Sequence, residues 1–269
     1  MTASLDVDVY LGRIGWTGAA RPTFHTLAAL VRAHMSKIPF ENLDVLLGRQ
    51  IRLDIDGLQR KLVHQRRGGY CFEHATLFAA VLEAIGFKPA RHSARVTLIT
   101  PRNASPRTHM FLTVPMAEST FVLDPGFGAL APRIPVPLTD GERVRIEGET
   151  HWMARAGDNW ILRTQTGEKI VDCWVSTLER DSAADFEVGN HYTSTHPASP
   201  FVNRIMLRAL TPGGRVTVMN RDVTVWERSI PQSIQLADRA ALRSLVIKHF
   251  GFDLPEIDAL RVPSIPEWT

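Results

Sequence analysis

Apolar positions repeat with a helical period through the first third of the chain and with a strand period from about residue 90 onward. Arg21-Pro22-Thr23 opens a segment whose Leu27, Leu30, Val31 and His34 share one face, and Pro39 stops it. Between Cys71 and Ile85, the residues Phe72, Ala75, Phe78, Val81, Leu82 and Ile85 recur at i, i+3 and i+4 spacing. Gly86 then terminates the run and Pro89 lies beyond it, so the spacing predicts a helix over 71–85. Alternation predicts strands over 94–100, 109–114, 120–123, 142–146, 160–164 and 169–175, separated by Gly, Pro, Asp and Asn clusters. Short strands at this spacing predict a barrel or a strongly curved sheet. Residues 216–219 and 223–226 flank Asn220-Arg221 as a hairpin. Asp238 caps a helix with Leu242, Leu245, Val246 and His249 on one face, which ends at Gly251. The order is helices, then sheet, then a mixed αβ end, an α+β chain.

Composition narrows the function classes. The 269 residues are 44% hydrophobic and 22% charged, an ordinary globular balance, enough for one large domain or two to three small ones sharing a core. A formal net charge of +3 is dispersed, with no Lys/Arg run interleaved with aromatics, which argues against a nucleic-acid partner. No window approaches the roughly 18 apolar residues of a membrane span. The N-terminal MTASLDVDVYLGRIGW carries acids and no continuous apolar stretch, so no signal peptide is read there and a cytoplasmic location is expected. Two cysteines, Cys71 and Cys173, stand too far apart for a metal knuckle and too few for a disulfide framework. In a reducing compartment such a cysteine stays a thiol.

The candidate chemistry begins at Arg66-Arg67-Gly68-Gly69-Tyr70-Cys71-Phe72-Glu73. Two glycines permit a tight turn and close approach of another chain to the backbone. The start of a helix offers unpaired N–H groups and partial positive charge, which favour a thiolate at Cys71. The competing reading, a small buried apolar residue, stays open on this observation alone. Residues 109–114 and 120–123 then read as two arms of a hairpin turning at Met116-Ala117. That register sets Phe111 opposite Val122, Thr113 opposite Thr120 and His109 opposite Asp124, with Cβ atoms about 4.5–5.5 Å apart. A carboxylate beside an imidazole fixes its tautomer and steadies the imidazolium, as a base serving a nucleophile requires. No GxxxxGK[ST] or GxGxxG phosphate loop is present, and no HExxH or other His/Asp spacing suits a metal. The other histidines (25, 34, 64, 74, 92, 151, 191, 196 and 249) are scattered and read as structural.

Five blocks carry a resemblance to the arylamine N-acetyltransferase family: Pro39-Phe40-Glu41-Asn42-Leu43, Arg67-Gly68-Gly69-Tyr70-Cys71-Phe72-Glu73, Thr108-His109, Leu123-Asp124-Pro125-Gly126-Phe127-Gly128, and Asn190 followed by Ser194-Thr195-His196-Pro197-Ala198-Ser199-Pro200-Phe201. The resemblance implies an α+β fold of an N-terminal helical bundle (1–88), a central β-barrel (89–189) and a C-terminal αβ lid (190–269), with a papain-like Cys-His-Asp triad at the junction. It implies Cys71 as nucleophile, His109 as base and Asp124 as the residue orienting it. It places Phe40, Phe127 and Phe201 around the acceptor amine and Thr108 and Gly128 near the pantetheine arm of acetyl-coenzyme A. Two departures stand out. Ala75 replaces the Asn of many members, and Pro125 replaces the more usual Val, which bears on the shape of the acceptor pocket because proline fixes φ and lacks an N–H. Cys173 matches no functional position and reads as an inert core residue.

The chemistry implied is a ping-pong transfer of acetyl from acetyl-coenzyme A, through Cys71, to an arylamine, arylhydrazine or N-hydroxyarylamine, with no permanently bound cofactor or metal. The alternatives are a cysteine hydrolase or transglutaminase-like enzyme and a macrolactam-forming amide synthase with the same triad. From another class comes a non-catalytic binder of aromatic ligands, which the intact Cys-His-Asp set disfavours.

Overall fold

The computed structural model describes residues 5–227 and 230–268. Asp6 accepts from Val9 N to cap α1 (Val7–Ile14), and Thr23 accepts from Thr26 N to cap α2 (Phe24–Lys37). On α2, the face holding Leu27, Leu30, Val31 and His34 is buried, as its spacing predicts. Two short helices, α3 (Leu43–Leu46) and α4 (Ile55–Leu58, continued by the π-helical Gln59–His64), lead into α5 (Cys71–Ile85). Beyond its predicted stripe α5 also buries Leu77 and Ala79, so it is a core helix covered on most sides. No helix among the described residues is long and apolar enough to cross a membrane.

Eight antiparallel strands follow: β1 (Ala90–Val96), β2 (Arg107–Pro115), β3 (Thr120–Leu123), β4 (Val136–Pro137), β5 (Val144–Ile146), β6 (Glu149–Ala156), β7 (Asn159–Thr166) and β8 (Lys169–Ser176). Their order is β4-β3-β2-β1-β8-β7-β6-β5, and a bridge from Asp140 to Met153 curls the sheet into a nearly closed barrel. Its interior holds Ala94, Phe111, Val122, Met153, Leu162 and Trp174. β1 starts and ends four residues earlier than the predicted 94–100. β6 is absent from the predicted strands because Glu149 and His151, both buried, break its apolar alternation.

The hairpin register differs from the expected one. Met116 N donates to Ser119 O (2.9 Å), so Ala117-Glu118 forms the turn and Thr113 pairs with Val122, not Thr120. The physical reason is Met116, which is half-buried against the helical core while Ala117 and Glu118 are exposed; a turn at 116–117 would have turned Met116 out. The slip is two residues, and an even slip returns every side chain to its expected face.

The remainder comprises α6 (Ala183–Thr195), α7 (Pro200–Asn203), an antiparallel sheet of β9 (Met206–Thr211), β10 (Gly214–Met219), β11 (Asp222–Glu227) and β12 (Ile230–Gln235), and α8 (Arg239–Phe250). The β10–β11 turn is Asn220-Arg221, and α8 is capped by Asp238 and ended by Gly251, as expected. On α8, Phe250 is the buried aromatic and His249 only half-buried. α6 escapes the periodicity because only Phe186 of its large apolar residues is buried; its signal is the reciprocal bonding of Ser182 and Asp185.

Among the contacts that join these parts, two bear on the site. Phe40 exchanges both backbone hydrogen bonds with Arg208 of β9 (2.9 Å each), while Glu41 N donates to Gly69 O (2.9 Å) on its other side. A Cβ on Gly68 would stand 2.0 Å from Pro39 O, so this strand-like seam admits only glycine there. Further out, Glu149 of β6 accepts a charged hydrogen bond from Arg215 of β10. Burial alone would push the Glu149 carboxyl up; His151, Arg215, Arg133 and Arg208 outweigh it and bring it down to about 2.

A carboxyl depressed in the fold stabilises it above its ordinary value of about 4.5, and that stabilisation is lost as pH falls toward 2. Glu149→Gln is therefore expected to lower stability at pH 7 and to flatten its fall between pH 4.5 and 2, measured by urea unfolding. Equal pH slopes in the two proteins would show that this pair does not join the sheets.

Candidate active site

Cys71 opens α5 and is almost wholly buried. Its position is set by the chain on either side. Tyr70 N donates to the Glu73 carboxylate (3.1 Å), and the Tyr70 hydroxyl donates to Asn190 Oδ1, linking α5 to α6. A Cβ on Gly126 would lie 2.5 Å from Cys71 Cα, so the Asp124–Gly128 loop packs directly on the backbone of the cysteine. The Cys71 sulfur faces Thr108 O at 3.8 Å.

Beneath the helix start lies a buried ionic network. Lys61 bonds to Glu73 (2.7 Å) and Asp44 (2.9 Å), and Arg67 bonds to Glu41 (2.7 Å) and Asp44 (2.8 Å). Burial pushes Glu73 up to about 7, with Lys61 opposing and Glu41 and Asp44 adding to it. Asp44, although buried, is held well below the carboxylate range by Lys61 and Arg67. Removing one member would strand a buried charge, which makes such networks stiff.

A second buried chain holds the Phe40 segment. His74 Nε2 donates to Pro39 O (3.2 Å), so its Nδ1 accepts from His34 Nε2 (2.8 Å), whose Nδ1 accepts from the Tyr10 hydroxyl (2.7 Å). With both rings neutral, the carbonyl at the end of the chain fixes which nitrogen of each carries the proton. Burial agrees, pushing His34 well down and His74 down to about 4.

His109 and Asp124 meet, although not as opposed residues. Strand pairing puts them diagonal on one barrel face, and His109 Nε2 donates to Asp124 Oδ2 at 2.9 Å. Both are buried, Asp124 at 0% exposure. The other donor to that oxygen, not among the residues expected from the sequence, is Trp174 Nε1 at 2.8 Å, whose ring stacks on Phe111 (4.2 Å). A signal for it existed: a buried carboxylate needs several donors, and Trp174 lies in a strand expected to line the barrel. Burial alone would push His109 down; the Asp124 carboxylate, then Cys71, outweigh it and raise the imidazole to about 10. With Nε2 on Asp124, Nδ1 is the nitrogen left for Cys71.

The three phenylalanines divide. Phe40 and Phe201 stand ring to ring (6.2 Å), and Phe127 lies edge-on to His109 (4.9 Å). Asn42 holds the first pair together, donating to Phe201 O and Arg204 O (2.8 Å each) and accepting from Met206 N (2.9 Å). The Phe40 ring covers Gly128, whose carbonyl accepts from the buried Arg208. Cys173 sits in the barrel interior with its S–H on Thr164 Oγ1 (3.4 Å), and burial pushes its thiol up to about 12. Among the described residues no cluster of His, Cys, Asp and Glu has the grouping to hold a metal.

The sulfur, the imidazolium and the sealed carboxylate form an arrangement able to carry a covalent acyl group. A family model described as N-acetyltransferase matches residues 23–259. Arylamine N-acetyltransferase of Mycolicibacterium smegmatis is 36% identical over 94% of each chain. The Salmonella typhimurium arylamine N-acetyltransferase / N-hydroxyarylamine O-acetyltransferase is 32% identical over 93% of this chain and 90% of its own. The structure of Mycobacterium marinum arylamine N-acetyltransferase in complex with CoA superposes with a TM-score of 0.88 at 32% identity, covering 94% of each chain.

Trp174→Phe keeps the stack on Phe111 and deletes the indole N–H. A buried carboxylate left one donor short costs about 1–3 kcal/mol, and urea unfolding is expected to show a loss of that size. Unchanged stability would mean that Asp124 does not depend on the indole.

Proposed function

The chain belongs to the arylamine N-acetyltransferase family and is an acyltransferase, and on that premise we propose that it moves an acetyl group from acetyl-coenzyme A to the amine of arylamines, arylhydrazines or N-hydroxyarylamines by way of Cys71. The observation that carries the proposal is the buried His109–Asp124 pair beside Cys71, with His109 raised to about 10 so that the imidazolium stands next to the sulfur. In the first half-reaction the Cys71 thiolate forms a bond to the thioester carbonyl, the bond to the coenzyme A sulfur breaks, and His109 gives its proton to the departing thiolate. In the second the acceptor amine attacks the acetyl-cysteine, His109 takes the amine's proton, and the Cys71 thiolate leaves. Asp124 holds the ring and steadies its positive form throughout. Backbone N–H groups at the start of α5 are the proposed donors to the tetrahedral oxyanion.

Phe40 and Phe201, held by Asn42, and Phe127 against His109 are the proposed walls for an aromatic acceptor. Thr108, whose carbonyl faces the sulfur, and Gly128 are proposed to border the pantetheine arm. The CoA complex of the Mycobacterium marinum relative supports the donor, and the Salmonella typhimurium relative, an arylamine N-acetyltransferase / N-hydroxyarylamine O-acetyltransferase, supports both arylamines and N-hydroxyarylamines as acceptors, the latter at oxygen in that relative. The triad is proposed to lie where a helical bundle (1–88), a barrel (89–189) and an αβ lid (190–269) meet, in a cytoplasmic protein.

Intact-mass measurement after mixing with acetyl-coenzyme A, without acceptor, is expected to show one acetyl adduct on the Cys71 peptide, absent in Cys71→Ala. Initial rates against donor and arylamine should give parallel double-reciprocal lines. An adduct on Cys173, or intersecting lines, would overturn the covalent route, and release of free acid from amides in place of transfer would favour a hydrolase.

A further inference from the structure

The turn that carries Phe201 has little apolar anchor of its own. Pro197, Ala198 and Pro200 are exposed, and Phe201 itself is half-buried. The turn is shaped instead by Ser199, which is only 2% exposed. Thr193 lies in the last turn of α6, and the residue four places on, whose N–H would bond its carbonyl, is Pro197, which has none. The Ser199 hydroxyl takes that place and donates to Thr193 O (2.6 Å). The same oxygen accepts from Phe201 N (3.2 Å), one of the first amides of α7, which have no partner within their helix. One buried hydroxyl therefore joins the end of α6 to the start of α7. Asn203 closes the turn from the other side, donating to Pro197 O (2.6 Å) and Ser199 O (2.8 Å).

We propose that Ser199 is a positioning residue that sets the Phe201 ring against the acceptor, and so selects for aromatic acceptors in the second half-reaction; this rests on the reading of Phe201 as an acceptor wall. The Phe201 ring stands 5.3 Å from that of Tyr70 and 6.2 Å from that of Phe40. Both neighbours are fixed, Phe40 by its backbone bonds to Arg208 and Tyr70 by full burial beside Cys71. Phe201 comes from the surface turn, so its place against them follows the turn. Asn42 holds the carbonyl side of Phe201 and Ser199 its amide side, and together they orient both peptide units that flank its Cα. α6 gives Ser199 a firm support, because Asn190 accepts from the Tyr70 hydroxyl and donates to Ile51 O (3.0 Å). Among the described residues the hydrogen bonds of Ser199 run to Thr193, His196, Phe201, Val202 and Asn203, and none goes to Cys71, Thr108, His109 or Asp124. Its loss therefore acts on the acceptor wall and not on the nucleophile. Without the hydroxyl, Phe201 occupies its binding position for a smaller fraction of the time, and affinity for a ring falls in proportion.

The test uses the full chain, acetyl-coenzyme A as donor and two acceptors, a substituted aniline and hydrazine, which carries no ring. In a ping-pong reaction kcat/KM for each substrate reports its own half-reaction, so the two steps are read separately. Ser199→Ala is expected to lower kcat/KM for the aniline about 5- to 30-fold, as the loss of a buried hydrogen bond implies. The values for acetyl-coenzyme A and for hydrazine should stay at those of the wild type. Asn203→Ala, at a half-buried position and so less costly to the fold, should show a smaller loss with the same selectivity, and it decides the question where Ser199→Ala does not fold. A wild-type protein that acetylates neither acceptor would overturn the reading of the function, and this inference with it. If the wild type transfers acetyl and the variants lose nothing, Asn42 is sufficient to hold Phe201 and the inference alone falls. It also falls if turnover of hydrazine or of acetyl-coenzyme A drops as much as that of the aniline.

Discussion

A carboxylate sealed from water has to be held by donors from more than one strand, and the site is arranged around that requirement. Asp124 has no exposure and takes hydrogen bonds from His109 of β2 and Trp174 of β8 on one oxygen. β2 and β8 are separated by β1 in the sheet, so the barrel must curve enough for Trp174 to reach across its interior. The same carboxylate outweighs the cost of burying a cation and keeps His109 charged. Two residues along, the loop carrying Asp124 presses Gly126 onto the Cys71 backbone, so one segment positions two of the three proposed triad members.

The opposite wall is also built on buried polar groups that hold one another. The segment around Phe40 is stitched to Gly69 and to β9 by backbone bonds, and its carbonyl at Pro39 terminates the Tyr10–His34–His74 chain. Beneath it, Lys61 and Arg67 tie Glu41, Asp44 and Glu73 into one network. Buried ion pairs of this kind add little net stability relative to apolar packing. Their effect is geometric, since each partner permits few arrangements of the backbone that carries Cys71.

Much of this is legible in the chain itself. The α5 stripe, its glycine pair and its cysteine specify a helix start that another segment approaches closely. The His109/Asp124 pairing survives an error in the turn because faces repeat every two residues, so a slip of two preserves them. What escapes periodicity is held by polar burial. β6 is hidden because Glu149 and His151 point inward, and α6 because its capping bonds and Asn190 anchor it with little help from apolar burial. Trp174 and Arg208 are far in sequence from the groups they touch, and only the folded barrel brings them there.

The central claim is that Asp124 keeps an imidazolium beside Cys71. The rate of iodoacetamide alkylation at Cys71 between pH 5 and 9, in wild type and in folded Asp124→Asn, tests it most directly. With the carboxylate present, His109 stays charged through this range, and alkylation should already be fast near neutral pH. Without it, alkylation near neutral pH should be markedly slower than in wild type. A folded Asp124→Asn protein with the wild-type profile would contradict the account.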